Sequence, residues 1–292
     1  MTMSASRSSL RLPTAVDAIA GAGASSPEAS TEAPVLIVGL GEVGRPLLEI
    51  LRGTHRAAGR DIEDRSFHGV RILHLCFPFG ADFVSAAHHY VSRYEPEVVV
   101  VNSTVVPGTT RAIQQETGTA AVYSPVRGKH SRMTEELRHY RKFVAGTSAE
   151  AVAVVEDHFA AAGMATQRMS SFESLELAKL LETTYFGVLL TWAQEMDRFA
   201  ASVDADYWET LGFFDEIGFL PPVGFEPGYI GGHCVMPNLD LLEQVRRSSL
   251  IDAMRNSNDR RAREWRMSGR STEERLAPRP RERGPENSRS DE

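Results

Sequence analysis

Apolar residues are gathered along this chain in two kinds of run. Val35-Leu36-Ile37-Val38, Val70-Arg71-Ile72-Leu73-His74-Leu75-Cys76-Phe77 and Val98-Val99-Val100-Val101 are short and nearly continuous, and each ends in small, polar or proline-containing residues. Segments apolar on both faces mark strands of a parallel sheet covered by helices. The second kind has helical spacing. Pro46-Leu47-Leu48-Glu49-Ile50-Leu51 follows the first strand closely, and Leu175 to Ala201 runs without proline and with Gly187 as its only glycine. That second run is long enough to be the spine of a separate helical region. Ser170 and Glu173 stand before it at the spacing of a capping box.

The flanks differ in composition. Residues 1–33 are dominated by Ala, Ser, Thr, Gly and Pro, which bury too little surface to offset chain entropy, so a disordered leader is expected there. Over 259–292, Arg and Glu alternate with Pro, Gly and Ser, and a second disordered, solvated segment is expected. The expected organisation is a leader over 1–33, a parallel-sheet domain over 34–168, a helical domain over 169–258 and a tail over 259–292.

Composition narrows the function. At 42% hydrophobic over 292 residues the chain can bury a real core, and its net charge of −7 offers no basic face for nucleic acid. No apolar run reaches the roughly 18 residues of a membrane span, so a cytoplasmic protein without membrane contact is expected. The two cysteines, Cys76 and Cys234, lie far apart in unlike contexts, which argues against a disulfide and for a reducing compartment. Cys76, inside an apolar strand, reads as a core residue. The histidines show no ligand spacing beyond the adjacent His88-His89, and no metal is expected.

Two glycine strings carry the chemistry. Gly39-Leu40-Gly41-Glu42-Val43-Gly44 sits between the first strand and its helix, the place of the phosphate-binding turn of a Rossmann unit. There the glycines serve a tight turn, close approach to a pyrophosphate and helix-on-strand packing. Asp61 follows Gly39 by 22 residues, close to where such a unit places an acid on the ribose hydroxyls. It favours NAD, while Arg60 beside it leaves NADP open. Because ligands of these sheets bind at the carboxyl ends of strands, Phe77, Pro78, Ser103 and Thr104 are placed near the nicotinamide half. The fold class expected is α/β, a Rossmann-type parallel sheet followed by a helical domain with a long central helix. The other string, Gly228-Tyr229-Ile230-Gly231-Gly232-His233-Cys234, sets a thiol just behind paired glycines, where it can approach a substrate carbon. Lys179 and Thr183 share a face of the long helix. From spacing alone Lys179 reads as a solvated lysine paired with Glu176 or Glu182.

In order along the chain, GLGEVG, HLCFPF, NSTVVPGTT (Asn102 to Thr110), YSPVRG (Tyr123 to Gly128), ELAKLLETTY (Glu176 to Tyr185) and PGYIGGHCVMPN (Pro227 to Asn238) resemble the UDP-glucose/GDP-mannose dehydrogenase family over about Val35 to Leu242. The resemblance implies oxidation of a nucleotide-sugar primary alcohol to a carboxylate by two hydride transfers to NAD, through a thiohemiacetal and a thioester on a cysteine. It assigns Cys234 as that nucleophile, Lys179 as oxyanion donor and Thr104 as the residue that positions water. It also implies a homodimer built on the long helix, whose residues Tyr185 to Trp192 are mostly apolar. A helix buried within one chain shows the same pattern.

Three positions depart from the family pattern. Thr183 stands where the family has Asn, Asn238 where it has an acid four residues after the cysteine, and Val126 where a glutamate follows the proline. An amide is no general base near neutral pH, so thioester hydrolysis is the step most affected. A counterpart of the family's third domain, which supplies much of the nucleotide grip, is not expected here, so that either the substrate is smaller or another subunit supplies the grip. Arg127, Lys129 and His130 are expected to anchor an anionic substrate, with Gly231, Gly232 and His233 beside the cysteine. Two other readings stay open: a two-electron dehydrogenase of the β-hydroxyacid type, which needs no Cys234, and an inactive dinucleotide-binding relative acting as a sensor or partner subunit.

Overall fold

The computed structural model describes residues 31–61, 66–214, 217, 225–232 and 234–267. The expected leader up to residue 30, the tail from residue 268 and His233 lie outside the described residues. The chain divides into two compact units, the first of Met1–Thr183 with Asn238–Arg247, the second of Thr184–Pro237 with Ser248–Glu292. The division falls inside a helix, whereas the boundary expected from sequence was placed before it at residue 169.

The first unit is a mixed α/β structure on a mostly parallel sheet. Its strands are β1 (Thr31–Glu32), β2 (Val35–Val38), β3 (Ala57–Arg60), β4 (Phe67–His68), β5 (Ile72–Leu75), β6 (Val98–Val101), β7 (Ala120–Tyr123), β8 (Lys142–Gly146) and β9 (Thr166–Arg168). Seven of them form one sheet in the order β3-β2-β5-β6-β7-β8-β9, parallel except where β8 meets β7, and β1 pairs with β4 alone. The helices are α1 (Gly44–Arg52), α2 (Phe83–Tyr94), α3 (Thr109–Thr117), α4 (Met133–His139), α5 (Ala149–Ala161) and the start of α6 (Phe172–Ser202).

The strands read as unbroken apolar runs because successive side chains enter different cores. Leu36, Val38, Leu73, Leu75, Val99 and Val101 pack with Phe83, Ala87 and Val91 of α2. Val35, Ile37, Ile72, Val98 and Val100 pack with Leu47, Ile50 and Leu51 of α1 and Val155 and Phe159 of α5. Each fully buried Leu, Ile or Val side chain contributes about 1.5–3 kcal/mol, and period-two alternation fixes the register.

Two expectations are corrected. Helix α6 is capped by Ser171, not Ser170: the Ser171 hydroxyl accepts from the Ser174 amide at 3.1 Å, while Glu173 is taken by Arg111. The tail does not begin at Asp259, because α9 (Ser249–Met267) continues through it; α7 (Tyr207–Gly212) and α8 (Val235–Val245) precede it. The buried face of α9 is polar beyond Met254, with Ser257, Asn258 and Arg261, so apolar periodicity could not reveal it. Ion pairs of Arg198 with Glu264 and of Arg261 with Asp197 hold that face.

Candidate functional site

The loops at the carboxyl ends of β3, β2, β5, β6 and β7 meet along one edge of the sheet, and hydrogen bonds tie them in series. The Gly39 amide donates to the Arg60 carbonyl at 2.9 Å, the Ser103 hydroxyl to the Phe77 carbonyl at 2.6 Å and the Ser124 amide to the Val101 carbonyl at 2.9 Å. This edge gathers Gly39, Gly41, Glu42, Val43, Gly44, Asp61, Phe77, Pro78, Ser103 and Thr104. Asp61 is exposed directly after β3, the strand beside β2. Phe77 is buried against Phe83 and Tyr90.

The three glycines of the turn are present for different reasons. Gly39 has a φ of +89°, and a Cβ there would stand 2.7 Å from the Phe77 amide nitrogen; one on Gly44 would stand 1.8 Å from the Gly39 carbonyl oxygen. Both glycines are required by the protein's own packing. A Cβ on Gly41 would meet nothing within 4 Å. Glycine at 41 is therefore not demanded by the chain itself, and open space beside the start of α1 fits a diphosphate brought against backbone N–H groups.

Behind this edge lies a group of polar residues that sequence reasoning missed. Glu176 of α6 is fully buried and its carboxylate accepts from the Gly108 amide at 2.7 Å, the Thr110 amide at 2.9 Å and the Thr110 hydroxyl at 2.7 Å, fastening the loop that follows Thr104. Burial pushes its pKa up against those bonds. Lys142, at the head of β8, is buried and donates to the Ser124 carbonyl at 2.9 Å and the Pro125 carbonyl at 3.2 Å. Burial lowers its pKa to about 7, opposed by the Cys76 thiol and reinforced by Arg127 and Lys179. Burial pushes the Cys76 thiol up to about 12, which makes it inert at neutral pH, as a core cysteine should be. A lysine opening the apolar strand KFVAG was the one visible signal of this group.

Histidines fill the core beneath. Asn102 Nδ2 lies 3.1 Å from His74 Nδ1 and also donates to the Val100 carbonyl, so His74 Nδ1 accepts and its proton sits on Nε2. That proton points at His158 Nε2, 3.0 Å away, and His55 Nε2 reaches the His158 carbonyl at 3.1 Å. Burial lowers the His158 pKa to about 3 and His74 well below the ordinary value. Both rings are neutral. Among the described residues no group of three His, Cys, Asp or Glu side chains is arranged to hold a metal ion.

The other predicted residues are placed as follows. Lys179 pairs with Glu182 at 3.0 Å with its side chain 13% exposed. The buried Thr183 hydroxyl donates to the Lys179 carbonyl at 3.2 Å. Asn238 is buried in α8 and Val126 is buried in the core of the first unit. Arg127 is already engaged: it donates to the Arg141 carbonyl at 2.9 Å and its guanidinium carbon lies 4.7 Å from the centre of the Phe143 ring. Lys129 is exposed. In the second unit Cys234 is exposed at the start of α8 and in no disulfide, behind Gly231 and a Gly232 whose φ is +74°.

No family model matches the chain. The UDP-N-acetyl-D-mannosamine dehydrogenase of Methanocaldococcus jannaschii is 22% identical over 172 residues, 56% of this chain and 39% of the relative. The structure of a UDP-D-ManNAc dehydrogenase from Pyrococcus horikoshii superposes with a TM-score of 0.70 at 17% identity, covering 80% of this chain and 69% of the other. The chain is similar in sequence to UDP-N-acetyl-D-mannosamine dehydrogenases and in fold to solved UDP-sugar dehydrogenases. A UDP-glucose dehydrogenase from Pyrobaculum islandicum gives 0.67 at 17% identity, over 84% of this chain and 74% of that one. The likeness to these dehydrogenases is one of fold, and the matched region spans about two-fifths of the curated relative's length. Among the described residues no helix is long and apolar enough to cross a membrane.

Proposed function

We propose that this chain is an NAD-dependent oxidoreductase acting on the primary alcohol of a nucleotide sugar or a related sugar phosphate. The observation that carries the reading is Gly41, a glycine that the protein's own packing does not require, in a turn whose other two glycines it does require. Gly41, Glu42 and Val43 would face the diphosphate, Asp61 the adenosine ribose, and Pro78, Ser103 and Thr104 the nicotinamide half. Bound there, the dinucleotide supplies a hydride acceptor.

The residues of the chain would do the rest. As the alcohol carbon gives up hydride and its hydroxyl gives up a proton, Lys179 stabilises the developing oxyanion. The Cys234 thiolate adds to the aldehyde carbon, a second hydride leaves the resulting thiohemiacetal, and water positioned by Thr104 cleaves the C–S bond, releasing the carboxylate and the thiol. Lys129, with Arg127 released from its stack, would hold the anionic part of the substrate; His130, Gly231, Gly232 and His233 complete the assigned set. Tyr185, Trp192 and Phe199 stand half or more exposed at intervals of seven residues along α6, and this stripe supports a homodimer.

A second reading rests on Asn238. With an amide where an acid is expected to act, thioester hydrolysis would be slow, which favours a two-electron oxidation that ends after one hydride transfer and forms no thioester on Cys234. The experiment is NADH formation with NAD and a panel of UDP-sugars, GDP-mannose and simple sugar phosphates, with products identified by mass. A carboxylate lost in Cys234→Ala is the expected result. Full turnover in that variant would establish the two-electron route, and dinucleotide binding without turnover of any substrate would leave a sensor or partner subunit.

A further inference from the structure

The segment that leads into Cys234 has no regular secondary structure from Phe225 to Gly231, yet part of it is buried: Ile230 is 4% exposed. Buried backbone groups outside helices and strands need partners from elsewhere. Here they come from two amide side chains of the second unit. Asn258 of α9 takes both polar groups of Ile230, its Oδ1 accepting from the Ile230 amide at 2.8 Å and its Nδ2 donating to the Ile230 carbonyl at 3.0 Å. Gln194 of α6 donates through Nε2 to the Gly228 carbonyl at 2.7 Å and to Asn258 Oδ1 at 3.2 Å. Its own Oε1 accepts from the Ser257 hydroxyl at 2.9 Å. Gln194 and Asn258 are 0% and 1% exposed, so these bonds are shielded from competing water. The network leaves each amide one orientation.

Glycines let the segment close on its supports. A Cβ on Gly228 would stand 3.2 Å from the Trp265 ring, and one on Gly187 of α6 would stand 2.7 Å from Val235 Cγ1 and 2.8 Å from Met254 Cε. Val235 is the residue after Cys234. The thiol therefore sits on a short span held before it by Asn258 and Gln194 and after it by Val235 seated at Gly187.

We propose that Asn258 and Gln194 are positioning residues that set the place of the Cys234 thiol through the backbone of Gly228 and Ile230; this rests on Cys234 being the nucleophile. A thiol displaced by about 1 Å costs on the order of 100-fold in rate. The test uses the full chain with NAD and the best substrate of the panel, and amide hydrogen exchange in the peptide spanning residues 226–235. In Asn258→Ala, exchange is expected to rise at least about tenfold and kcat to fall about 10- to 100-fold, with the KM for NAD unchanged. Asn258→Asp keeps the acceptor for the Ile230 amide and loses the donor to its carbonyl, and is expected to be intermediate. Should Asn258→Ala fail to fold, Gln194→Ala carries the same readouts. Unchanged exchange, or faster exchange with unchanged kcat, overturns the proposal while Cys234→Ala still abolishes turnover. Full turnover in Cys234→Ala, or absence of turnover in the unaltered chain, overturns the nucleophile reading and this proposal with it.

Discussion

Two glycine-bearing segments, Gly39 to Gly44 and Gly228 to Gly232, look alike in sequence and are held by different means. The first is fixed by main-chain sterics: Gly44 packs on the Gly39 carbonyl within the turn, and Gly39 on the Phe77 amide at the end of the neighbouring strand. The second is fixed by side chains 28 and 34 residues away, Asn258 acting on Ile230 and Gln194 on Gly228. A turn locked by backbone against backbone keeps its shape as long as its sheet is folded. A remotely clamped segment has its shape set by residues that are not part of its motif, and these can be altered without touching the motif.

The comparison can be broken most severely at Gly44. Gly44→Ala forces a methyl into a backbone oxygen and is expected to cost about 3 kcal/mol or more, read as a loss in urea midpoint with the slope unchanged; a midpoint equal to that of the unaltered chain would refute the steric account. Next comes Lys142, which links the first unit to pH. An unfolded lysine keeps its proton to an ordinary pKa near 10.5, whereas the folded one releases it at about 7. Between those values the unfolded state binds more protons, so stability rises with pH across this window and the full burial penalty is felt below it. The contribution amounts to at most about 1.4 kcal/mol per pH unit. Lys142→Met should flatten the urea-derived stability profile between pH 7 and 10, and an undiminished slope would assign it to other groups. In the second unit, Gly187→Ala gains helix propensity of about 1 kcal/mol but crowds Val235 and Met254. A net loss of about 1 kcal/mol is expected, with faster amide exchange around Cys234; a more stable variant with unchanged exchange would show that the contact at Gly187 is not needed. The smallest stability effect belongs to Gly41→Ala, within about 0.5 kcal/mol, combined with a loss of NAD affinity by titration. Retained affinity there would remove the main support for the cofactor assignment.

The contrast also explains what was legible in the sequence. The strands over 35–38 and 98–101, the turn between Val38 and the first helix, and the length of α6 were all readable because their signals are local. Ser171 replaced Ser170 as the cap because Glu173, the other half of the expected box, is drawn to Arg111. Glu176 was visible only as a neighbour of Lys179, since its true partners, Gly108 and Thr110, lie 66–68 residues away. Asn258 stood at the edge of what resembled a solvated tail, because a helix face buried through amides and ion pairs carries no apolar stripe.

The paired imidazoles of the first unit give the protein a built-in reporter. With His74 held in one tautomer by Asn102, the proton between its Nε2 and His158 Nε2 belongs to a buried ring nitrogen shielded from solvent. In a chain labelled with 15N only at histidine, it should appear as a slowly exchanging, strongly downfield resonance. The opening motions of the sheet core can then be followed on a single proton, without a substrate, a ligand or a mutation.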